Sequence, residues 1–192
     1  MFPVTLPNLL TVARIMLVPA LVVALLGNSS SSDVVAAVIF ALASLTDLLD
    51  GWIARARASV TTFGKLMDPL ADKLLVVAAL VSLVSLGRLP AWVAMVIIAR
   101  ELAVTVLRLS ASQAGVVIAA SPLGKIKTAM QIATLLTLIA VHSQPLAVQL
   151  LLYLTVAVTV ISGLDYFFGL RRRLSEAGSQ GEPQLVEPAE SH

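Results

Sequence analysis

Four aspartates lie close together in an otherwise apolar part of the chain, at Asp47, Asp50, Asp68 and Asp72. The first two are three residues apart and the last two are four apart, so each pair shares one face of a helix. An ionised carboxylate in a membrane is expensive, about 3 kcal/mol on insertion scales, and four of them need a common reason. Carboxylate oxygens suit hard divalent cations such as Mg²⁺ or Mn²⁺. We therefore expect these residues to bind metal.

The composition predicts an integral membrane protein. The 192 residues are 58% hydrophobic and only 12% charged, and the mean hydropathy is +0.96. A soluble domain would carry about 25% charged residues. The absence of cysteine excludes disulfides, thiolate metal sites and cysteine nucleophiles. With 5% aromatic residues and a formal net charge of +2, no nucleic-acid partner is expected.

Six apolar segments predict an all-α integral membrane fold with six transmembrane helices. Each is close to the roughly 20 residues that cross a bilayer core, and a spanning segment must satisfy its backbone internally, which favours helices. The segments cover residues 9–27, 34–53, 69–86, 91–109, 124–141 and 146–169. Pro69 is expected in the first turn of the third helix, where its missing N–H does no harm.

The distribution of Lys and Arg predicts the orientation of these helices. The connections at 28–32 and 142–145 contain no Lys or Arg. The turn between the third and fourth helices contains Arg88 alone. The opposite side carries Arg55, Arg57, Lys65, Arg108, Lys125, Lys127 and the arginines at 171–173. The positive-inside rule then places both termini, and the aspartate ends of the second and third helices, in the cytoplasm.

The end of the chain differs in composition from the rest. Residues 175–192 are rich in Glu, Pro, Gly, Ser and Gln, which is typical of disordered segments. We expect a six-helix transmembrane catalytic domain over residues 1–174, followed by a disordered cytoplasmic tail.

The string from Asp47 to Asp72 resembles the signature of the CDP-alcohol phosphatidyltransferases. That signature, D-x2-D-G-x2-A-R-x8-G-x3-D-x3-D, is matched at every defined position, including Gly51, Arg55 and Gly64. Members of the family are six-helix membrane enzymes, typically homodimers, in which an alcohol displaces CMP from a CDP-linked substrate. The resemblance implies a multi-pass homodimer in the cell membrane (inner or plasma membrane), with its active site facing the cytoplasm.

The resemblance also implies roles for single residues. Two ions, Mg²⁺ or Mn²⁺, would be held by the four aspartates, with Asp47 and Asp68 able to bridge both, and Asp72 would also be the catalytic general base. Binding of CDP-diacylglycerol is expected at Asn8, Thr11, Gly51, Arg55 and Thr61. Arg14 belongs to the same opening segment, near the nucleotide.

Three outer stretches bear on the acceptor alcohol. They cover residues 99–108, 124–131 and 162–167, and they resemble members of the family that use sn-glycerol 3-phosphate. A phosphorylated acceptor needs fixed positive charge, so its phosphate is expected at Arg100, Arg108 and Lys125. Two alternatives stay open: Arg100 pairs with Glu101 or another carboxylate, and the other cations only set the topology.

Other acceptors, an intramembrane prenyltransferase and a cation transporter are alternatives to this function. The same chemistry could use an inositol phosphate, or phosphatidylglycerol as in cardiolipin synthases. An intramembrane prenyltransferase would need more helices and a different aspartate spacing. A cation transporter would spread its acidic residues through the membrane depth, whereas these cluster at the ends of two helices. The clustering favours an enzyme that acts on membrane lipids.

Overall fold

The computed structural model describes the backbone of residues 6–27, 29–57, 62–113, 122–141, 143 and 145–180, and the side chains of residues 11–27, 29–46, 73–111, 122–141, 143, 145–169 and 171. Over these residues the chain forms helices and no strand. The helices are α1 (Leu6–Leu26), α2 (Ser30–Arg57), α3 (Thr62–Ser85), α4 (Ala91–Gln113), α5 (Pro122–Ala140) and α6 (Leu146–Gln180). The all-helical class and the six segments expected from the apolar pattern are thus confirmed.

Two helix boundaries differ from the sequence expectation. Helix α3 begins at Thr62, so Pro69 lies inside the helix rather than in its first turn, and that prediction was wrong. The polar and charged residues ahead of Pro69 interrupt the apolar run, so hydropathy does not indicate the first turns of α3. Helix α6 continues to Gln180, into the segment expected to be a tail. The domain boundary itself stays a prediction, because residues 181–192 lie outside the described residues.

Helix α1 packs against the two helices that carry the aspartates. Among the described residues its contacts with α3 and α2 are the most extensive in the molecule, followed by those of α5 with α6, α4 with α6 and α2 with α5. The apolar core at these contacts includes the fully buried side chains of Leu21, Phe40, Leu80, Leu83 and Ile139. The packing fixes α2 and α3 beside α1, which carries part of the expected nucleotide site.

The outer surface is apolar, as expected for a protein in lipid. Met16, Val23, Met95 and Leu146 are each at least 65% exposed, and contiguous exposed apolar surface of this kind marks a membrane or partner contact. By length and composition, two described helical segments can cross a bilayer, Pro122–Ala140 and Leu146–Gly169. Shorter apolar stretches lie in α1, α2 and α3. The membrane character is supported, and the count of six spans stays a prediction.

A glycine turn ends α3 at the end of the bundle opposite the aspartates. Gly87 has a φ of 69°, in the left-handed region that glycine adopts without penalty. Its N–H donates to the carbonyl of Val84 (3.0 Å), and the N–H of Arg88 donates to the carbonyl of Leu83 (2.9 Å). This is a Schellman cap, and it turns Arg88 back toward the protein interior.

Arg88 forms a buried ion pair with Asp33 of α2. Its Nη2 lies 3.0 Å from Oδ2 of Asp33, and its Nη1 donates to the carbonyl of Ile139 in α5 (3.2 Å). Both side chains are almost fully buried. Arg88, which the sequence pattern placed only in a loop, therefore links α2, the α3–α4 turn and α5.

We expect Asp33→Asn to destabilise the protein strongly. The change leaves the Arg88 guanidinium buried without its carboxylate partner, and breaking a buried pair in this way costs about 3–5 kcal/mol. Thermal unfolding in detergent should show a clearly lower melting temperature. Asp165→Asn is the matched control, because Asp165 is exposed and its loss should leave the melting temperature unchanged. An Asp33→Asn variant as stable as the parent would contradict the role given to the pair.

Candidate active site

The backbone positions of the four aspartates agree with the expected metal site. Asp47 and Asp50 lie within α2, and Asp68 and Asp72 lie within α3. Because both helices continue through these residues, each pair shares one helical face. The four side chains lie outside the described residues, so their geometry stays a prediction. As a donor set, four carboxylates fit hard divalent cations. Among the described side chains no other group of three potential ligands exists.

The residues expected to bind CDP-diacylglycerol lie mainly on α1 and α2. Asn8 and Thr11 are in α1, and Gly51 and Arg55 are in α2. Thr61 lies outside the described residues. Thr11 has a described side chain and is only 1% exposed, so it faces the packed interior rather than lipid.

Arg14, one turn beyond Thr11 along α1, also faces the packed interior. Arg14 is 1% exposed, and its side chain is the largest among the described ones to be so deeply buried. A buried guanidinium in an apolar chain needs polar partners. Its position on the helix that contacts both α2 and α3 agrees with a place near the nucleotide.

The three residues expected to bind the acceptor phosphate differ in their surroundings. Arg100 is half-buried in α4, whereas Arg108 and Lys125 are exposed. The guanidinium carbon of Arg108 lies 5.8 Å from the centre of the Tyr166 ring, within the range of a cation–π contact. The positive charge of Arg108 lies close enough to act on Arg100, so these two of the three residues are neighbours.

A different set of cations meets at Glu101, which is 6% exposed. Lys73 of α3 contacts Oε2 of Glu101, and Lys127 of α5 contacts Oε1. Nη1 of Arg100 lies 3.4 Å from Oε1 as well. We call Glu101, Lys73, Lys127 and Arg100 the Glu101 cluster. It joins three helices at one carboxylate, and Lys73 directly follows Asp72 along α3.

Helix α6 holds Arg100 from the other side. Nη2 of Arg100 donates to Oγ of Ser162 (2.9 Å), and the Ser162 hydroxyl donates to the carbonyl of Thr159 (3.0 Å). A β-carbon built on Gly163 would lie 3.1 Å from Cγ of Arg100. Glycine at this position lets the arginine cross α6 closely. These contacts fix the direction of the Arg100 side chain.

Further polar groups are buried in α4, α5 and α6. The hydroxyls of Thr134 in α5 and Thr155 in α6 are hydrogen-bonded at 2.7 Å. Four buried polar atoms of these helices find no hydrogen-bond partner among the described residues. They are Arg100 Nε, Gln131 Oε1, Thr159 Oγ1 and Tyr166 Oη. Unsatisfied polar atoms are costly in an apolar interior, so a polar ligand or water would stabilise these groups better than lipid.

Sequence reasoning missed most of the Glu101 cluster. It considered an Arg100–Glu101 pair, which the structure contains, but it gave Lys73 no functional role. For the acceptor phosphate it considered Lys127 and preferred Lys125, and that preference stays a prediction. A usable signal was present, because an ionisable residue within an apolar span is a functional candidate by default. The convergence of α3, α4 and α5 on one carboxylate could not be read from spacing along a single helix.

Comparison with known proteins gives the family. A model of the CDP-alcohol phosphatidyltransferase family matches residues 4–161. The CDP-diacylglycerol–glycerol-3-phosphate 3-phosphatidyltransferase of Bacillus subtilis is 44% identical over 180 residues, covering 84% of this chain and 93% of that protein. A probable phosphatidylglycerophosphate synthase of Mycobacterium tuberculosis is 44% identical over 166 residues, covering 84% and 79%. The Rickettsia felis protein that shares the Bacillus protein's name is 36% identical over 168 residues, covering 84% and 93%. The chain, which carries the complete aspartate signature, belongs to the CDP-alcohol phosphatidyltransferase family.

Proposed function

We propose that the chain transfers the phosphatidyl group of CDP-diacylglycerol to sn-glycerol 3-phosphate, which yields phosphatidylglycerophosphate and CMP. The observation that carries the proposal is the likeness to relatives named for this activity, at 36% to 44% identity over 84% of the chain. The Glu101 cluster adds support, because a phosphorylated acceptor needs fixed cations beside the reacting groups.

Asp47, Asp50, Asp68 and Asp72 would hold the divalent ions that the family generally uses. We propose two ions, Mg²⁺ or Mn²⁺. When bound, such ions neutralise the diphosphate and stabilise the oxygen of the departing CMP. The donor set supports this choice, because it consists of carboxylates and the chain has no cysteine.

The bond changes follow from the two substrates. The carboxylate of Asp72 accepts the proton of the acceptor's hydroxyl. The oxygen freed in this way attacks the phosphorus that bears the diacylglycerol, and a new phosphorus–oxygen bond forms. The bond from that phosphorus to the bridging oxygen of the diphosphate breaks, and CMP leaves with that oxygen. Charge and atoms balance without any further reactant.

The nucleotide end of CDP-diacylglycerol would lie against α1 and α2. Gly51 lets the substrate approach the helix backbone closely, and the Arg55 guanidinium supplies paired donors for a phosphate. Asn8, Thr11 and Thr61 complete the proposed set. The packing of α1 against α2 and α3 supports this arrangement, because it brings the expected nucleotide residues and the aspartate helices together.

The proposed topology has six spans, with both termini and the active site on the cytoplasmic side of the cell membrane. The exposed apolar surface and the uneven distribution of Lys and Arg support it. This orientation lets the acyl chains stay in lipid while the cytidine and the acceptor enter from water. A homodimer is proposed from the family resemblance. Arg100, Arg108 and Lys125 are proposed to contact the acceptor phosphate, and the exposed Arg108 and Lys125 would meet the anion as it enters from water.

The test is CMP release by the purified protein in detergent or lipid. With CDP-diacylglycerol and Mg²⁺, we expect CMP to appear only after sn-glycerol 3-phosphate is added. Glycerol without phosphate is the matched control and should give background release. Equal release with water alone, or none with sn-glycerol 3-phosphate, would overturn the proposed function.

A further inference from the structure

The Glu101 cluster is an unusual ionic arrangement for a structural role. The buried carboxylate of Glu101 receives three cations, Lys73, Lys127 and Arg100. Bringing three like charges together is unfavourable in a low-dielectric interior. Replacing a buried ion pair by apolar side chains is often neutral or stabilising. Stability alone is therefore a poor reason for this cluster.

The burial of the cluster is graded from one side to the other. The side chains of Lys127 and Glu101 are 4% and 8% exposed, whereas that of Lys73 is 29% exposed. Lys127 is thus fixed in the interior, and Lys73 is the more accessible of the two lysines. A small anion that approaches the cluster would meet Lys73 before Lys127.

The cluster includes the residue that follows the proposed general base along the chain. Lys73 follows Asp72 directly in α3, so one of its cations comes from the same helical turn as that carboxylate. The proposed acceptor carries its reacting hydroxyl and its phosphate at opposite ends of three carbons. A phosphate site for this acceptor must therefore lie near Asp72, and the place of Lys73 next to Asp72 along α3 makes the Glu101 cluster a candidate.

We infer that Glu101 is a positioning residue for the acceptor, holding Lys73, Lys127 and Arg100 together as one binding site for its phosphate. The inference rests on the proposed function. Glu101 contacts the cations rather than the substrate, and its charge opposes the repulsion that would separate them. Ser162 and Gly163 fix Arg100 from the α6 side, so the arginine keeps its direction when the phosphate binds.

Steady-state kinetics of Glu101→Gln test this inference, with each substrate varied in turn. Without the carboxylate the cations separate, and Lys73 turns toward water. We expect the KM for sn-glycerol 3-phosphate to rise by about tenfold or more, while the KM for CDP-diacylglycerol stays within about twofold. Glu101→Asp keeps the charge but shortens the side chain, so it should restore most of the acceptor affinity, leaving a rise of about threefold.

Asp33→Asn is the matched control, because it also breaks a buried ion pair but at the opposite end of the bundle. It should lower the melting temperature and leave both KM values unchanged. A Glu101→Gln variant that loses stability with no selective rise in the acceptor KM would show Glu101 to be structural. Should that variant not fold, an unchanged acceptor KM in Glu101→Asp would overturn the inference equally.

The same experiment separates the inference from the proposed function. A parent protein that releases no CMP with sn-glycerol 3-phosphate would overturn the proposed function, and the acceptor role of the cluster with it. A parent protein that is active, with an unshifted acceptor KM in the Glu101 variants, would overturn only the role of Glu101.

Discussion

Asp72→Asn is expected to lower kcat by about 10²- to 10⁴-fold while the protein still binds CDP-diacylglycerol. An amide has the shape of the carboxylate and keeps one oxygen for a metal, but it cannot accept the acceptor's proton. The loss should therefore appear mainly in turnover. The measurement pairs CMP release with equilibrium binding of CDP-diacylglycerol to the same preparation.

The melting temperature is the control for this change. Asp72→Asn should unfold at the same temperature as the parent, so that the loss of turnover reports the chemistry and not the folding. An Asp72→Asn variant with near-full turnover would exclude Asp72 as the base. A variant that loses CDP-diacylglycerol binding and turnover together would show that Asp72 acts mainly as a metal ligand.

The second large effect is expected on removal of divalent cations. Several kcal/mol of charge stabilisation come from bound ions in reactions of this type, so chelation and desalting should lower CMP release by about 10³-fold or more. Adding back Mg²⁺ or Mn²⁺ should restore the activity. Full activity in the chelated, desalted protein would contradict the metal site.

Asp68→Ala should lower CMP release as far as chelation does, even in excess metal, because it deletes one of the four carboxylates that would hold the metal. Glu101→Gln provides a useful contrast. It should keep the full response to added metal, since the Glu101 cluster consists of cations around one carboxylate. The pair of variants separates loss of the metal site from loss of the acceptor site.

Much of the fold could be predicted from the sequence, because the membrane simplifies the problem. A spanning segment must be apolar and helical, so hydropathy alone indicated all six helices. The errors fell where the helices leave the apolar pattern. Thr62 begins α3 among polar residues, and α6 continues past its apolar part to Gln180. Hydropathy carries no signal for a helix that extends beyond the lipid.

The sequence also indicates one part of the candidate site and not the other. The aspartate signature lies on two consecutive helices, and its fixed spacing made the family recognisable from sequence. The Glu101 cluster depends on contacts between α3, α4 and α5, which no local spacing encodes. Arg88 shows the same limitation: its single charge in a short turn indicated only topology, while the structure pairs it with Asp33 across a long separation in sequence.

The central claim concerns the acceptor, and one competition experiment tests it most directly. Purified protein, CDP-diacylglycerol and Mg²⁺ are supplied with equal concentrations of sn-glycerol 3-phosphate, an inositol phosphate and phosphatidylglycerol, and the lipid products are identified by mass. We predict phosphatidylglycerophosphate as the dominant product, formed in equal amount with CMP. Cardiolipin or a phosphatidylinositol phosphate as the dominant product would contradict the account.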